Sequence, residues 1–378
     1  MADRKICIYA ICKNEMKFVD AWLNNMSEAD YIVVLDTGST DGTYEYLQED
    51  PRVTKVEQKI YDFWRFDVAR NDAMKLVPED TDIYVSTDFD ELFEPGWAQA
   101  IRDKWTDETT RAEYTYAWSH NETGDPMNVF KYDKIHNKDY HWIFPVHEVL
   151  WPNESWLKER RIDLGDTVYL HHWQDLSVPR KNYMDLLELS VKENPDNPHV
   201  RHLYSREFIL QGRNEEAYSK FFQVLNIDTT WTSPQYRLVL LDTILMLANL
   251  SEMKGELDET LYWCNQFLRV DDTYREPYLT AADVYNSRGQ YDRALYVLDL
   301  MNTKAVRHYS WVEKHANWLT TDKYLYANAY FGLQIYDKAL ELYNEVLKHE
   351  PNNIDILKHK VACLEMLQKK ETNKELSE

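Results

Sequence analysis

From Lys5 to about Leu92 the sequence alternates between short apolar runs and longer segments with apolar residues at helical spacing. The apolar runs have the composition of buried strands and occupy residues 6–12, 31–36, 53–58 and 82–88. The segments between them predict helices over residues 14–26, 43–50 and 66–77. Strands that alternate with helices on short loops form a parallel sheet covered on both faces. We therefore predict an α/β domain built on a Rossmann-like, mostly parallel sheet.

The pattern changes after Trp97, where aromatic and histidine residues become frequent up to Trp173. Segments in this region predict strands of a mixed sheet or of its surroundings, at residues 114–120, 128–136, 141–151 and 167–173. Beyond Pro179 every element is predicted to be helical. We therefore predict two domains, covering residues 1–178 and 179–378.

The helical half of the chain contains a repeat. Small residues at equivalent places in four helix pairs, spaced 43, 34 and 45 residues apart, are Ala217, Thr260, Ala294 and Ala339. The middle spacing matches the tetratricopeptide period of ~34 residues, and the longer ones imply insertions. We predict an all-α tetratricopeptide-repeat solenoid, whose concave groove would bind an extended peptide. The alternative is a repeat block that only covers the flank of the first domain and forms a homodimer.

The composition limits the classes of partner. The chain has 378 residues, more than one hydrophobic core usually supports, and its 43 Lys+Arg against 65 Asp+Glu give a net charge of −22. Such a field repels nucleic-acid phosphates and anionic lipids, so neither is expected as a main partner. The four cysteines are scattered without a CxxC pair, and the sequence has no recognisable secretory leader or membrane-spanning apolar run. We predict a cytoplasmic protein.

The segment from Val33 to Thr43, VVLDTGSTDGT, ends the second predicted strand and holds two of the chain's nine glycines. In a parallel sheet, ligands bind outside the carboxyl ends of the strands. Asp36 is therefore predicted to accept hydrogen bonds from a base or ribose, while Gly38 and Gly42 permit a sharp turn close to a ligand. The alternative is a tight turn that only caps the following helix.

Two acidic pairs flank the fourth predicted strand. Asp80 and Asp82 precede the strand, at the end of the sheet where ligands do not bind, whereas Asp88 and Asp90 follow it. Position therefore selects the second pair, and Glu91 is placed to orient either aspartate from behind. A hard divalent ion held by one or two carboxylates neutralises a diphosphate well. The alternative is an acidic loop that caps the next helix.

Four short motifs occur together in a fixed order, and they are KNE at 13–15, DTGSTDGT at 36–43, ARN at 69–71 and DFDE at 88–91. As a set they resemble the family-2 glycosyltransferases with the GT-A fold, closely up to about residue 95 and loosely beyond. Followed by tetratricopeptide repeats, the arrangement is similar to bacterial peptide S-glycosyltransferases of glycocin biosynthesis. The resemblance implies an inverting transferase that uses a UDP-sugar and a divalent metal ion.

The resemblance also implies a role for individual residues. The donor-binding positions are Ala10, Ile11, Glu15, Asp36, Arg70 and Asp88. Asp88 would bond the ribose or the sugar, and Asp90 would hold Mn²⁺ or Mg²⁺. Arg70 would face the nucleotide, with an ion pair to a nearby aspartate as the alternative. Ala10 and Ile11 would line the base pocket through their backbone, and Glu15 would either reach the ribose or only begin the next helix.

Two later segments would complete the site. Glu148 lies in an apolar stretch with aromatic neighbours that would raise its pKa, so we predict it as the general base, with His147 beside it. A structural His-Glu hydrogen bond is the alternative. A late histidine is implied as a further metal ligand, which suits Mn²⁺. His171 and His172 point to opposite faces of a strand, so at most one reaches the metal; His171 is slightly preferred, and a packed strand-end histidine is the alternative.

The predicted function is the transfer of a hexose from a UDP-sugar to a peptide or protein side chain held in the repeat groove. A soluble surface glycan is an alternative acceptor. A different class of function is a tetratricopeptide adaptor whose transferase domain is degenerate. A nucleotidyltransferase fits poorly, because the loop Cys12–Glu15 is not the glycine-rich, basic loop that a triphosphate would need.

Overall fold

The computed structural model describes residues 4–121, 124–175, 183–231 and 234–375. The chain forms two compact units, Met1–Pro195 and Asp196–Glu378. The predicted boundary between residues 178 and 179 lies outside the described residues, within 176–182. None of the helices in the described ranges combines the length and apolar character needed to cross a bilayer.

The first unit combines strands and helices. Its strands are β1 (Ile6–Cys12), β2 (Tyr31–Asp36), β3 (Lys55–Gln58), β4 (Ile83–Ser86), β5 (Glu91–Phe93), β6 (Arg111–His120), β7 (Pro126–His136), β8 (Tyr140–Ile143), β9 (Val149–Pro152), β10 (Arg161–Asp163) and β11 (Tyr169–His172). Its helices are α1 (Val19–Met26), α2 (Thr43–Glu49), α3 (Phe66–Met74), α4 (Trp97–Lys104) and α5 (Met184–Glu193). A short 3₁₀ helix covers Gly165–Thr167.

The main sheet is mixed. Its strand order is β3-β2-β1-β4-β7-β6-β11-β5, with β10 beside β6 and a separate hairpin of β8 and β9. Strands β3, β2, β1 and β4 are parallel to one another, whereas β7 is antiparallel to both β4 and β6, and β5 is antiparallel to β11. The prediction of a mostly parallel sheet therefore holds for the first four strands. Beyond them the sheet is mixed, because β7 enters it through an antiparallel hairpin with β6, although β10 and β11 are parallel to β6.

Strand β1 is buried on both faces. Ile6 and Ile8 pack into one apolar cluster together with Trp22 of α1, and Cys7 and Tyr9 pack into a second cluster that includes residues of α3. A strand covered by helices on both faces has no polar face, which explains the uninterrupted apolar run in the sequence. This packing fixes the carboxyl edge of the sheet, where β2, β1 and β4 end side by side.

The second unit is helical throughout its described residues. Its helices are α6 (Pro198–Leu210), α7 (Asn214–Leu225), α8 (Pro234–Met253), α9 (Leu257–Val270), α10 (Glu276–Ser287), α11 (Tyr291–Lys304), α12 (Ala316–Leu319), α13 (Thr321–Gly332), α14 (Tyr336–His349) and α15 (Ile354–Glu375). Helices pack as successive pairs, namely α6 with α7, α8 with α9, α10 with α11 and α13 with α14. The predicted four helix pairs are thus confirmed.

The turn inside each helix pair has the same backbone geometry. Gly212, Gly255 and Gly289 are left-handed, with φ of 72°, 78° and 70°, and the equivalent residue of the fourth pair is Gln334, with φ of 61°. In all four turns the next residue donates its N–H to the carbonyl five residues earlier, at 2.8–2.9 Å. Five residues after the turn residue lies a fully buried small side chain, and these are Ala217, Thr260, Ala294 and Ala339. The repeat therefore specifies the turn as well as the core.

We expect Gln334→Gly to stabilise the fourth helix pair by about 0.5–1 kcal/mol, because glycine adopts left-handed backbone without the Cβ penalty that glutamine incurs. The reverse change in the third pair, Gly289→Gln, should destabilise by a similar amount. Thermal unfolding of the full chain, followed by helical circular dichroism, measures both. Shifts of the same sign in the two variants would contradict the equivalence of the turns.

Candidate functional site

The loops that follow β1 and β2 are joined to each other at the carboxyl edge of the sheet. The backbone N–H of Asn14 donates to Oγ of Ser39 at 2.8 Å, and its Oδ1 accepts from the N–H of Thr40 at 2.7 Å. The N–H of Glu15 donates to Oγ1 of Thr43 at 2.9 Å. The KNE and DTGSTDGT motifs therefore form one connected rim, as their positions after neighbouring strands require.

Asp36 builds the turn within this rim. Its Oδ1 accepts hydrogen bonds from the N–H of Gly38, the N–H of Ser39 and Nε2 of Gln58, each at 2.9 Å, and its Oδ2 accepts from the Cys12 thiol at 3.4 Å. The side chain is fully buried. Burial would raise the pKa of Asp36, but the hydrogen bonds outweigh it and lower the pKa. The tight turn of the predicted alternative is therefore present, and a contact of Asp36 with a base or ribose stays a prediction.

Arg70 lies at the centre of a buried cluster. Its Nη2 donates to Oδ1 of Asp88 at 2.8 Å, its Nη1 to Oγ of Ser86 at 3.2 Å, and its Nε to Oε1 of Glu148 in a short contact. The guanidinium also lies over the ring of Trp142, 5.3 Å from the centroid. Helix α3, the end of β4 and the segment before β9 are thereby held together by one cation.

A second cation, Lys134 on β7, approaches the same aspartate. Its Nζ is 3.6 Å from Oδ2 of Asp88, and its side chain is buried. Burial would raise the pKa of Asp88, but the charges of Arg70 and Lys134 outweigh it and lower the pKa below its ordinary value. Asp88 is therefore held ionised by two cations.

Glu91 lies behind Asp88. Its Oε2 accepts the N–H of Asp88 at 2.9 Å, and its Oε1 accepts the hydroxyl of Tyr116 at 2.8 Å. Burial raises the pKa of Glu91, and the nearby charge of Lys134 offsets this only in part. The carboxylate therefore fixes the backbone of the acidic loop without reaching its surface.

Asp90 and His172 meet although they are far apart in the sequence. Nε2 of His172 is 3.0 Å from Oδ2 of Asp90, and Nδ1 of His172 donates to the carbonyl of Trp118 at 3.2 Å. The antiparallel pairing of β5 and β11, in which His172 lies opposite Glu91, creates this contact. Burial would lower the pKa of His172, but the hydrogen bond to Asp90 outweighs it and raises the pKa.

His171 faces the other way, as successive residues of a strand do. Its Nδ1 is 2.9 Å from Nε2 of His120, and its Nε2 is 3.4 Å from Oε1 of Glu94. The structure thus brings His172, and not the preferred His171, to Asp90. The sequence predicts that at most one of the two histidines reaches the metal. Which of them lies beside Asp90 is determined by the register of β11 against β5.

Glu148 has a different environment from the one expected. Its Oε1 atom contacts the buried guanidinium of Arg70. Of the aromatic residues expected to enclose it, Trp142 and Phe144 are buried, whereas Trp151 is 43% exposed. The ion pair engages one of the two carboxylate oxygens and supports a positioning role, and the role of general base stays a prediction. The adjacent His147 adopts left-handed backbone, with φ of 51°.

The remaining predicted donor-site residues lie at the same edge of the sheet. Ala10 is buried in β1, and Ile11, the next residue, is partly exposed near the end of that strand. Glu15 begins the turn into α1, where its carbonyl accepts the N–H of Phe18 at 2.9 Å and of Val19 at 3.0 Å. Contacts of these residues with a nucleotide remain predictions.

Sequence reasoning missed Lys134. A signal was present, since Lys134 and Tyr132 are two residues apart and so share one face of β7, where the ammonium lies 4.9 Å from the centroid of the ring. A lysine on an aromatic strand face is a candidate for a buried cation.

The side chains of Asp90 and His172 fit one mode of metal binding. Among the described residues, no cluster of three or more His, Cys, Asp or Glu side chains could enclose an ion by itself. Asp90 and His172 supply two ligands, and an ion that binds together with a substrate diphosphate commonly takes one or two protein ligands and completes its shell with phosphate and water. The pair therefore suits a metal ion that arrives with its substrate.

Comparisons with known proteins identify the C-terminal part of the chain. Residues 180–262 match the tetratricopeptide repeat family. No curated protein matches the chain. Among solved structures, a thermophilic TPR protein of Thermus thermophilus is 20% identical and has a TM-score of 0.34, with 48% of this chain and 88% of that chain covered.

Two further solved structures are similar to the chain at the same level. A tetratricopeptide repeat protein of Parabacteroides merdae is 16% identical, with a TM-score of 0.37 and coverage of 49% of this chain and 66% of that chain. YrrB, described as a TPR protein with an unusual peptide-binding site, is 12% identical, with a TM-score of 0.35 and coverage of 47% and 81%. With the family match and the four helix pairs, the C-terminal part of the chain contains tetratricopeptide repeats.

Proposed function

We propose that the chain is an inverting, metal-assisted glycosyltransferase that moves a hexose from a UDP-sugar to a side chain of a peptide or protein. The observation that carries the proposal is the 3.0 Å contact of Asp90 with His172, in the acidic loop that also contains Asp88. Loops at the carboxyl edge of parallel strands are where α/β proteins bind ligands. In this proposal the site lies outside the ends of β1, β2 and β4.

Asp90 and His172 would hold Mn²⁺ or Mg²⁺ together with the donor diphosphate. The bound ion would neutralise the negative charge that develops on the leaving UDP. A neutral imidazole among the ligands favours Mn²⁺ over Mg²⁺. His172 must then lose the proton that lies between its Nε2 and Asp90. Binding of the ion would therefore replace the interaction of Asp90 with a protonated histidine by its interaction with the metal ion.

Asp88 would accept hydrogen bonds from hydroxyls of the ribose or the sugar. Its side chain is 39% exposed, whereas the side chains of its cationic partners Arg70 and Lys134 are 5% and 8% exposed. The cations are therefore part of the scaffold, and the carboxylate is the group that they present. A carboxylate that is fixed and ionised before the donor binds loses little freedom when it does.

The tetratricopeptide repeats would supply the acceptor, because grooves of helix-pair solenoids bind extended peptides. The buried free cysteines of the described residues suit a reducing compartment, and we propose that the reaction takes place in the cytoplasm. The family match also favours a second candidate, an adaptor that binds proteins through its repeats and transfers nothing.

Mass spectrometry of transfer reactions tests the proposal. The purified chain is incubated with Mn²⁺, a set of UDP-sugars and a library of peptides that contain cysteine, serine or threonine. We expect one sugar to be added to a subset of peptides. Peptide binding without any transfer, and without release of UDP, would support the adaptor instead.

Glu148→Gln separates two roles of that residue. If Glu148 positions Arg70, the substitution should weaken Mn²⁺-dependent UDP binding several-fold and leave turnover at saturating donor within about tenfold, since a general base contributes about 10²–10⁴-fold. Calorimetry and steady-state kinetics measure the two effects, with the exposed Glu154→Gln as the matched control. Unchanged UDP affinity with turnover reduced at least about 100-fold would restore the role of base.

A further inference from the structure

The second unit contains a cavity of ≈ 280 Å³ between α8, α10 and the segment that leads through α12 to α13. The lining residues that determine its chemistry include Glu252, Glu276, Leu279, Asp283, Lys314 and Tyr324. Small-molecule pockets usually measure about 300–1,000 Å³, so this cavity lies at the lower limit of that range and has room for one long side chain.

Three carboxylates and one amine line this cavity. The carboxylates belong to Glu252 of α8 and to Glu276 and Asp283 of α10, and the amine belongs to Lys314; Asp283 and Lys314 are exposed residues. Among the described residues, the side chains of Glu252 and Asp283 have no hydrogen-bond or ion-pair partner. Burial and the neighbouring Asp283 raise the pKa of Glu252 to about 7, and burial raises the pKa of Asp283. The two carboxylates therefore lie close together, and the charge of Lys314 offsets the raised pKa of Glu252 only in part.

Glu276 provides a separate observation. The residue is only 3% exposed, and its Oε1 accepts from the N–H of Lys314 and from Nδ2 of Asn317, both at 3.1 Å. Its Oε2 is buried without a hydrogen-bond partner among the described residues. A buried acceptor of this kind is costly unless a donor satisfies it, and the cost is larger for a charged group. The carboxylate of Glu276, one of the residues that line the cavity, therefore has one oxygen without a hydrogen-bond donor.

The lining of the cavity suits an organic cation. No cluster in the described residues is arranged to enclose a metal ion. The other walls are apolar, from Leu245, Leu279 and Leu325, with the ring of Tyr324 beside them. Lysine and arginine side chains match this division, since their methylene stems pack on apolar surface while their charged ends donate hydrogen bonds.

We propose that this cavity binds the lysine or arginine side chain of an extended peptide that lies along the helical repeats. The charged end of that side chain pairs with the carboxylates of Glu252 and Asp283, beside Glu276. The site is selective for a basic residue at one position of the peptide. Binding does not require sugar transfer, so the proposal can fail or hold independently of the proposed enzymatic function.

Calorimetry with blocked Gly/Ser peptides that carry one central residue tests the proposal. The central residue is lysine, arginine, norleucine or glutamate, and both peptide ends are capped so that no terminal amine can substitute. At about pH 8, above the pKa of Glu252, we expect the lysine or the arginine peptide to bind at least about tenfold more tightly than the norleucine peptide. Equal affinity for lysine, arginine and norleucine peptides would overturn the proposal.

Substitutions locate the binding in this cavity. Asp283→Asn and Glu252→Gln should each weaken binding of the basic peptide at least about fivefold, whereas Glu341→Gln, on the exposed face of α14, should not change it. The Glu252→Gln variant should also unfold at a higher temperature than the parent at about pH 8, because a carboxylate with a raised folded-state pKa destabilises the fold once it is ionised. Full affinity in stable cavity variants would overturn the proposal.

Discussion

A chain with methionine in place of Arg70 is expected to lose about 3–5 kcal/mol of unfolding free energy, the usual cost of removing one partner from a buried ion pair. The substitution leaves the carboxylate of Glu148 in a largely buried position without its cation and removes one of the two cations beside Asp88. Methionine fills a similar volume, so the loss of unfolding free energy comes from removal of the charge and not from a cavity. Denaturant unfolding followed by tryptophan fluorescence measures it.

A surface arginine provides the control. Arg213 pairs with Glu216 at 2.7 Å, but its side chain is 44% exposed, and Arg213→Met should cost at most about 1 kcal/mol. Adding Glu148→Gln to the Arg70→Met variant should recover part of the loss, since it removes a buried charge that has no partner. A loss below about 1 kcal/mol for Arg70→Met would show that the cluster is solvated and not a fixed scaffold.

Asp90→Asn is expected to lower metal-dependent turnover at least about 100-fold, because a metal ion contributes several kcal/mol to the stabilisation of the leaving group and each 1.36 kcal/mol is a factor of ten in rate. The fold should persist, since the asparagine amide oxygen can still accept a hydrogen bond from His172. Release of UDP from a UDP-sugar, in the presence of acceptor peptide, measures turnover.

The chain contains its own control for this substitution. Asp80 belongs to the acidic pair that precedes β4, where it forms an ion pair with Lys5 and accepts from the hydroxyl of Tyr31 at 2.9 Å. Asp80→Asn should therefore leave turnover unchanged. Equal losses for the two variants, or none for Asp90→Asn, would remove Asp90 from the site.

Local pattern was sufficient for much of the fold. The bounds of β1 and β2 agree with the predicted strands at 6–12 and 31–36, because continuous apolar runs between short loops leave few alternatives. The repeat could be predicted for a similar reason. Three of its four turns place a glycine at the left-handed position, and glycine is visible in the sequence. Gln334 departs from the glycine pattern, and the small residue Ala339 nevertheless identified the fourth pair.

Long-range pairing was not readable from the sequence. The contact of His172 with Asp90 depends on the register between β5 and β11, and a slip of one residue would have brought His171 instead. Likewise, the motif around Asp36 indicated a ligand site, while the same residues satisfy one another as a turn. Local spacing cannot distinguish these outcomes, because both use the same acceptors and amides.

The cation cluster was hidden for a related reason. Arg70 was a candidate from its motif, but its partner Glu148 comes from a segment 78 residues away, and Lys134 belongs to a strand whose place beside β4 no local signal predicted. The aromatic face of β7 marks Lys134 as a candidate for a buried cation, but its carboxylate partner is known only once the sheet is assembled.

The most direct measurement of the central claim is calorimetric titration of the intact chain with UDP, in the presence and absence of Mn²⁺. We expect one site per chain, with binding that requires the ion and is lost in the Asp90→Asn variant. Absence of UDP binding at millimolar concentration with Mn²⁺ present, or equal binding with and without the ion, would contradict a metal-assisted UDP-sugar site at the carboxyl edge of this sheet.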